Sequence, residues 1–294
     1  METVDLLFFQ SNGFDFVDII GKGSYGVIYK VYSLQYKMNF AMKRVPANKF
    51  RDSEIDCMIE IRSSSIVPLY QYFHYKEFVY LLMEYCPSSL DILVHENQNM
   101  AILRQYQIAL GMIESVASCH ETGISHGDIK PSNFLLDSNG RVKICDFGLS
   151  KKTHVDEIST SFGGTLMFLA PEIINKLPFD AFSADIWALG VSLYFLFTGR
   201  YPWPTDSKHI MFQSILNSYY DDSLIQDLFI KNLIRSCLNV NPTQRPQAKE
   251  LFNQFYKKVN PGKRKICRPN SMAFISNSLI LSPSCKQKRR ISSI

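Results

Sequence analysis

The period of the apolar residues changes once along this chain, near Pro87, and that change limits the folds open to it. Before it, residues 14–20, 27–32, 40–45, 69–73 and 78–83 alternate in the manner of strands and are rich in aromatic and branched side chains. One helix-like stretch, 53–62, interrupts them, with Ile55, Met58, Ile59 and Arg62 at helical spacing and Asp52 or Ser53 as the expected N-cap. After Pro87 the periods are helical: 101–122, 184–198, 222–237 and 247–257. Strands gathered first and helices gathered second predict an α+β architecture of two lobes, a small antiparallel sheet with one helix and a larger, mainly helical part. The expected limits are 14–85 for the small lobe and 86–258 for the large one, joined near 84–89.

A length of 294 residues suits one large domain or two lobes sharing a cleft, and 46% apolar with 20% charged residues suits a sizeable core. The net charge of +5 is uneven. From Asn260 onward there are eight Lys/Arg and no Asp or Glu, which leaves 24 basic against 27 acidic residues in the rest. The basic character therefore belongs to a tail, 259–294, which lacks periodicity and is expected to be disordered, and no nucleic-acid-binding body is expected. Seven cysteines without a Cys-x-x-Cys pair read as reduced thiols, hence a cytoplasmic location with the nucleus as the alternative. The first ten residues carry acids, no basic segment and too short an apolar run for a signal peptide. The longest apolar stretch, 186–197, falls short of the ~20 residues that span a bilayer and reads as a buried helix, so no transmembrane segment is expected. Nothing in the sequence fixes an oligomeric state.

Three motifs carry chemistry. Gly21-Lys22-Gly23-Ser24-Tyr25-Gly26 lies between two strand patterns, where a plain glycine hairpin is the rival reading, and its glycines would let backbone amides approach phosphates. Lys43, in Phe-Ala-Met-Lys on the third strand, alternates onto the face opposite Met42; a surface lysine is its rival reading. Between Ser125 and Leu149, Asp128, Lys130, Asn133 and Asp146 fall in one window. Together they offer a base, a cation and two oxygen ligands for a hard divalent metal, the set that phosphoryl transfer from MgATP requires.

In order and spacing these motifs resemble those of the eukaryotic protein kinases over residues 14–258. The Lys130-Pro-Ser-Asn133 run, with Gly164-Thr165 ahead of Ala170-Pro-Glu172, resembles the Ser/Thr type, and the Asp-Phe-Gly and helical regions are weakly similar to the calcium/calmodulin-dependent group. The resemblance implies a two-lobed kinase fold, a Ser/Thr protein kinase acting on protein substrates in intracellular signalling, and ATP with Mg²⁺. It implies Asp128 as catalytic base, Lys130 on the γ-phosphoryl, and Asn133 and Asp146 as metal ligands. ATP contacts are implied for Ile20, Gly21, Gly23, Gly26, Ile28, Ala41, Lys43, Met83, Glu84, Cys86 and Leu135. Lys43 would be held by a helix glutamate, Glu54 in preference to Glu60. Arg245 would pair with Glu172, and Met58, Leu69, His126 and Phe147 would stack.

Gly127 departs from the family pattern, which has Arg beside the catalytic Asp to meet a phosphate on the activation segment. Activity is therefore expected to depend weakly, or not at all, on phosphorylation at Ser159, Thr160 or Ser161. Two rival functions fit the same fold: a non-catalytic scaffold, disfavoured by the presence of Lys43, Asp128, Asn133 and Asp146, and a small-molecule kinase, disfavoured by the segment from Gly164 to Glu172.

Overall fold

The computed structural model describes residues 2–23, 26–152, 158–159 and 165–261. The expected tail beyond 261, and Ser24, Tyr25, Thr160, Ser161 and Gly164, lie outside the described residues. By its internal contacts the chain forms two compact units, one from residues 2–50 with Pro68–Tyr85, the other from Arg51–Val67 with Cys86–Pro261.

In the smaller unit, helix α1 (Thr3–Ser11) precedes strands β1 (Phe14–Gly23), β2 (Gly26–Ser33) and β3 (Met38–Pro46). Helix α2 (Asp52–Glu60) belongs to the larger unit, and β4 (Leu69–Tyr75) and β5 (Phe78–Glu84) complete the sheet. All five expected strands are present, each slightly longer than the alternation suggested, in the antiparallel order β1-β2-β3-β5-β4. Register gives the sheet two chemically distinct faces. Ile28, Lys43 and Leu81 lie in one cross-strand row, with Ala41 opposite Met83 two residues along. Tyr29, Val31, Phe40, Met42, Tyr80 and Leu82 occupy the other face, because side chains alternate along each strand.

That second face is covered by α1, which the strand and helix periods did not reveal. Phe8 and Phe9 are each 1% exposed and join the sheet residues in one core. The Phe8 ring stacks on Tyr80 at 3.9 Å, and Phe9 meets Tyr29 edge-on at 5.3 Å. Beneath them Asp5 is fully buried and accepts from Tyr29 Oη and Tyr80 Oη, both at 2.7 Å, and from Arg44 Nη1 at 2.9 and 3.1 Å. Arg44 also bonds Glu2 at 2.9 Å and stacks over Phe78. Burial and the Asp5 hydrogen bonds push both tyrosine hydroxyls well above their ordinary range.

The larger unit contains short strands β6 (Ser88–Ser89), β7 (Ile124–Ser125), β8 (Phe134–Leu136), β9 (Val142–Ile144) and β10 (Lys151–Lys152). Its helices after α2 are α3 (Leu90–Glu96), α4 (Ile102–Glu121), α5 (Pro171–Ile174), α6 (Ala181–Thr198), α7 (Lys208–Leu216), α8 (Leu228–Cys237) and α9 (Ala248–Val259). The apolar helix α6 satisfies the length and hydropathy of a membrane span, yet twelve of its residues, Asp185 through Leu196, are buried. It is the core helix of this unit, as the sequence suggested.

Three local expectations need correction. The N-cap of α2 is Arg51, in extended backbone and without a side-chain cap bond, and the helix ends at Glu60. The expected 222–237 helix is two pieces, because Asp227 caps α8 through a 3.1 Å bond to Ile230 N–H and leaves Asp222–Leu224 as a separate turn. Helix α6 starts three residues early, where the Asp180 carboxylate accepts from Phe182 and Ser183 N–H. The cysteines at 57, 86, 119, 145 and 237 form no disulfide.

Candidate functional site

In the larger unit the segment after β7 is fixed by one buried carboxylate. Asp185, on α6, accepts the His126 N–H at 2.7 Å and the Gly127 N–H at 2.9 Å, and His120 Nε2 lies 3.0 Å away. Gly127 has φ +78°, and a Cβ there would sit 2.9 Å from the Leu149 carbonyl oxygen. Glycine meets both constraints without strain.

The loop then presents Asp128. Lys130 Nζ donates to Asp128 Oδ2 at 2.6 Å and to Thr165 Oγ1 at 3.3 Å, and the Thr165 hydroxyl reaches Asp128 Oδ1 at 3.4 Å. Asn133 Nδ2 donates to the Asp128 carbonyl at 2.7 Å and to Oδ2 at 3.2 Å. The Asn133 carbonyl in turn accepts the Cys145 N–H at 3.0 Å, which sets Asp146 beside it. Asp146 has φ +66°, a left-handed conformation that costs an aspartate about 1–3 kcal/mol and marks functional sites.

Residues from distant parts of the sequence converge on the same loop. The position of a Gly148 Cβ lies 3.5 Å from Asp146 Oδ1 and 3.8 Å from Glu54 Oε2, so α2 brings Glu54 to the Asp-Phe-Gly turn. Glu54 is buried. Glu60 points elsewhere, to Lys152 Nζ at 2.7 Å, and its side chain is 42% exposed. His126 and Phe147 meet edge-on at 5.0 Å. Arg245 holds Glu172 through paired bonds of 2.7 and 2.8 Å, as the sequence suggested.

The remaining candidates divide between the units. In the smaller one, Gly23 pairs with Gly26 at the end of the β1–β2 ribbon, so the described glycines of the motif lie on two paired antiparallel strands. Gly26 is required by packing, since a Cβ there would lie 1.9 Å from the Arg44 carbonyl oxygen. Gly21 faces Ile28 across the ribbon, and Ile20 beside it is 42% exposed. Lys43 is 7% exposed and shares its face with Ile28, Ala41 and Met83. Glu84 ends β5, its N–H bonded to the Pro68 carbonyl at 3.3 Å. Cys86 and Leu135 belong to the larger unit; Leu135 lies on β8 opposite Ser89 and Lys143.

The protein kinase domain model matches residues 14–257. This chain belongs to the protein kinase domain family. Among curated relatives, the kinase domain is 29% identical over 252 residues to human NUAK family SNF1-like kinase 2, covering 83% of this chain and 40% of that one. It is 29% identical over 265 residues to mouse NUAK family SNF1-like kinase 1 (86% and 40%) and 31% identical over 243 residues to mouse putative sperm motility kinase W (79% and 48%). The chain thus spans less than half the length of these relatives.

The oxygen donors of Asn133 and Asp146 are of the chemistry that would suit a hard divalent cation. Asn133 commits its amide nitrogen to Asp128, so its amide oxygen is the atom that could serve a cation, and the bond from Cys145 N–H to the Asn133 carbonyl brings the start of the Asp146 turn to the same residue. Among the described residues no group of three or more His, Cys, Asp or Glu is placed to hold a metal. Two protein oxygens fit a hard cation whose other ligands come from phosphate and water, and do not fit an all-protein cage.

Sequence reasoning missed Asp5 with Tyr29, Arg44 and Tyr80. These partners stand 24, 39 and 75 residues from Asp5, and no motif spacing links them. The available signal was an acid placed among Leu6, Leu7, Phe8 and Phe9.

Proposed function

We propose that this chain is a Ser/Thr protein kinase that moves the γ-phosphoryl group of MgATP to hydroxyls of protein substrates. The observation that carries the reading is the ring of Asp128, Lys130 and Thr165, closed by bonds of 2.6, 3.3 and 3.4 Å. Lys130 and Asn133 both donate to Asp128 Oδ2, while Oδ1 meets the Thr165 hydroxyl through a long bond. Oδ1 is therefore the oxygen suited to accept or orient the proton of an incoming hydroxyl. The Lys130 ammonium, held between Asp128 and Thr165, is a cation for the charge on the transferring group. Mg²⁺, when bound by Asn133 and Asp146, supplies neutralisation of phosphate charge.

Lys43, Ile28, Ala41 and Met83, with Ile20 and the glycines at 21, 23 and 26, form the proposed nucleotide end in the smaller unit, together with backbone groups of Glu84. For Cys86 and Leu135, which belong to the larger unit, a role in nucleotide binding is proposed on the family resemblance alone. Glu54 is the glutamate assigned to that end, because it is buried whereas Glu60 is bound to Lys152. A cytoplasmic or nuclear location is part of the proposal and rests on the sequence pattern of the cysteines, seven in number and without a Cys-x-x-Cys spacing, which reads as reduced thiols. So is a weak dependence on activation-segment phosphorylation: alanine at Ser159, Thr160 and Ser161 together should cost less than about tenfold in rate.

A peptide array labelled with γ-labelled ATP and Mg²⁺ tests the acceptor. Labelling of Ser and Thr peptides is expected; labelling confined to Tyr peptides, or none at all, would contradict the proposal.

A further inference from the structure

The Asp5 cluster has a definite relation to Lys43. The row Ile28–Lys43–Leu81 crosses β2, β3 and β5 on one face of the sheet. Each of these residues has an immediate chain neighbour on the other face: Tyr29, Arg44 and Tyr80. Those three are the donors that converge on the Asp5 carboxylate. One buried group thus ties together, from behind, the three backbone positions that carry Lys43 and its two cross-strand neighbours. The Arg44 guanidinium is held on further sides by Glu2 and by the Phe78 ring at 4.3 Å, so its strand position has little freedom. A surface ion pair would not need such an arrangement; here the carboxylate is fully buried and Arg44 is 8% exposed.

We propose that Asp5 is a positioning residue for Lys43, so that α1, which lies ahead of the family-matched residues, is a working part of the nucleotide-binding half. Lys43 and Arg44 are consecutive on one strand, and a backbone shift that releases Arg44 moves the Lys43 Cα with it. Displacement of a charged group by about 1 Å is enough to weaken its contact with phosphate severalfold. The proposal rests on the reading of Lys43 as the lysine that meets the ATP phosphates.

The test is a double-mutant cycle on the full chain, read as affinity for a fluorescent ATP analogue (MANT-ATP) with Mg²⁺, well below the unfolding temperature of every variant. Asp5→Asn keeps the shape and removes the charge. It should weaken binding about three- to tenfold in the wild-type background and change it less than about twofold in Lys43→Met, since the effect passes through that lysine. If Asp5→Asn does not fold, Tyr80→Phe removes one donor and should weaken binding about two- to threefold, again only with Lys43 present. Equal weakening in both backgrounds, or unchanged affinity for folded Asp5→Asn, overturns the proposal. A Lys43→Met single variant that binds as the wild type does identifies a different failure: the phosphate reading of Lys43 falls, and the positioning role with it.

Discussion

Asp185 in the larger unit and Asp5 in the smaller one are both buried, at 3% and 0% exposure, and each gathers several groups. They do so by different means. Asp185 takes two consecutive backbone N–H groups, at His126 and Gly127, with His120 beside it. Asp5 takes side-chain donors from the sheet, two hydroxyls and a guanidinium on three strands, besides the Glu2 N–H at the cap of its own helix at 3.3 Å. The first arrangement shapes a loop, and its donors are present in any sequence able to follow that path. The second holds strands in place, and it exists only where four particular side chains coincide. Losing the acceptor therefore has different consequences: Asp185 strands neutral amides, Asp5 strands a buried cation.

Truncating the two carboxylates makes the difference measurable. Asp5→Ala should cost about 3–5 kcal/mol of stability by urea unfolding, because Arg44 is left with Glu2 alone. Asp185→Ala should cost less, about 1–3 kcal/mol in all, because the stranded groups are neutral amides, while lowering the turnover of the folded fraction. The reverse order would break the comparison. Backbone strain should separate the sites further. Gly127→Arg forces a side chain into φ +78° with its Cβ against Leu149 O, at about 1–2 kcal/mol, and should lower the melting temperature even though arginine is the residue the family pattern prefers.

A third buried aspartate sharpens the contrast through pH. Asp137, in the β8–β9 turn that sets the spacing of Asn133 and Asp146, accepts from the N–H groups of Asn139 and Arg141 and from the Arg141 side chain. Burial pushes its carboxyl up, but those donors outweigh burial and hold it below the ordinary aspartate value. Its folded pKa is thus lower than its unfolded one, so its stabilisation is present above the unfolded value of about 3.9 and is lost as pH falls through the folded one. Asp137→Asn should cost about 1 kcal/mol at pH 7 and flatten the acid side of the stability profile. An unchanged acid slope would count against this assignment.

How much of this was legible in the sequence follows from the range of the interactions. The clustering of Asp128, Lys130, Asn133 and Asp146 was legible because they lie within nineteen residues and the bonds of Lys130 and Asn133 to Asp128 are local. The sheet was readable from alternation, and Lys43 from its place on the third strand. The 222–237 helix was misread because an aspartate at 227, good at capping, interrupts an otherwise continuous apolar period. Helix α1 was invisible because nine residues carry too little period, and because its fold depends on Tyr29, Arg44 and Tyr80. The difference between Glu54, which is buried, and Glu60, which bonds Lys152 at the surface, depends on packing and was not legible in the sequence.

The central claim is that the Asp128 cluster catalyses phosphoryl transfer. The direct measurement is the rate of γ-phosphoryl transfer by wild type and Asp128→Asn under saturating MgATP, with melting temperatures compared alongside. A loss of about 10²–10⁴-fold at nearly unchanged stability is predicted. Equal rates in the two proteins, whether both measurable or both at background, would contradict the account.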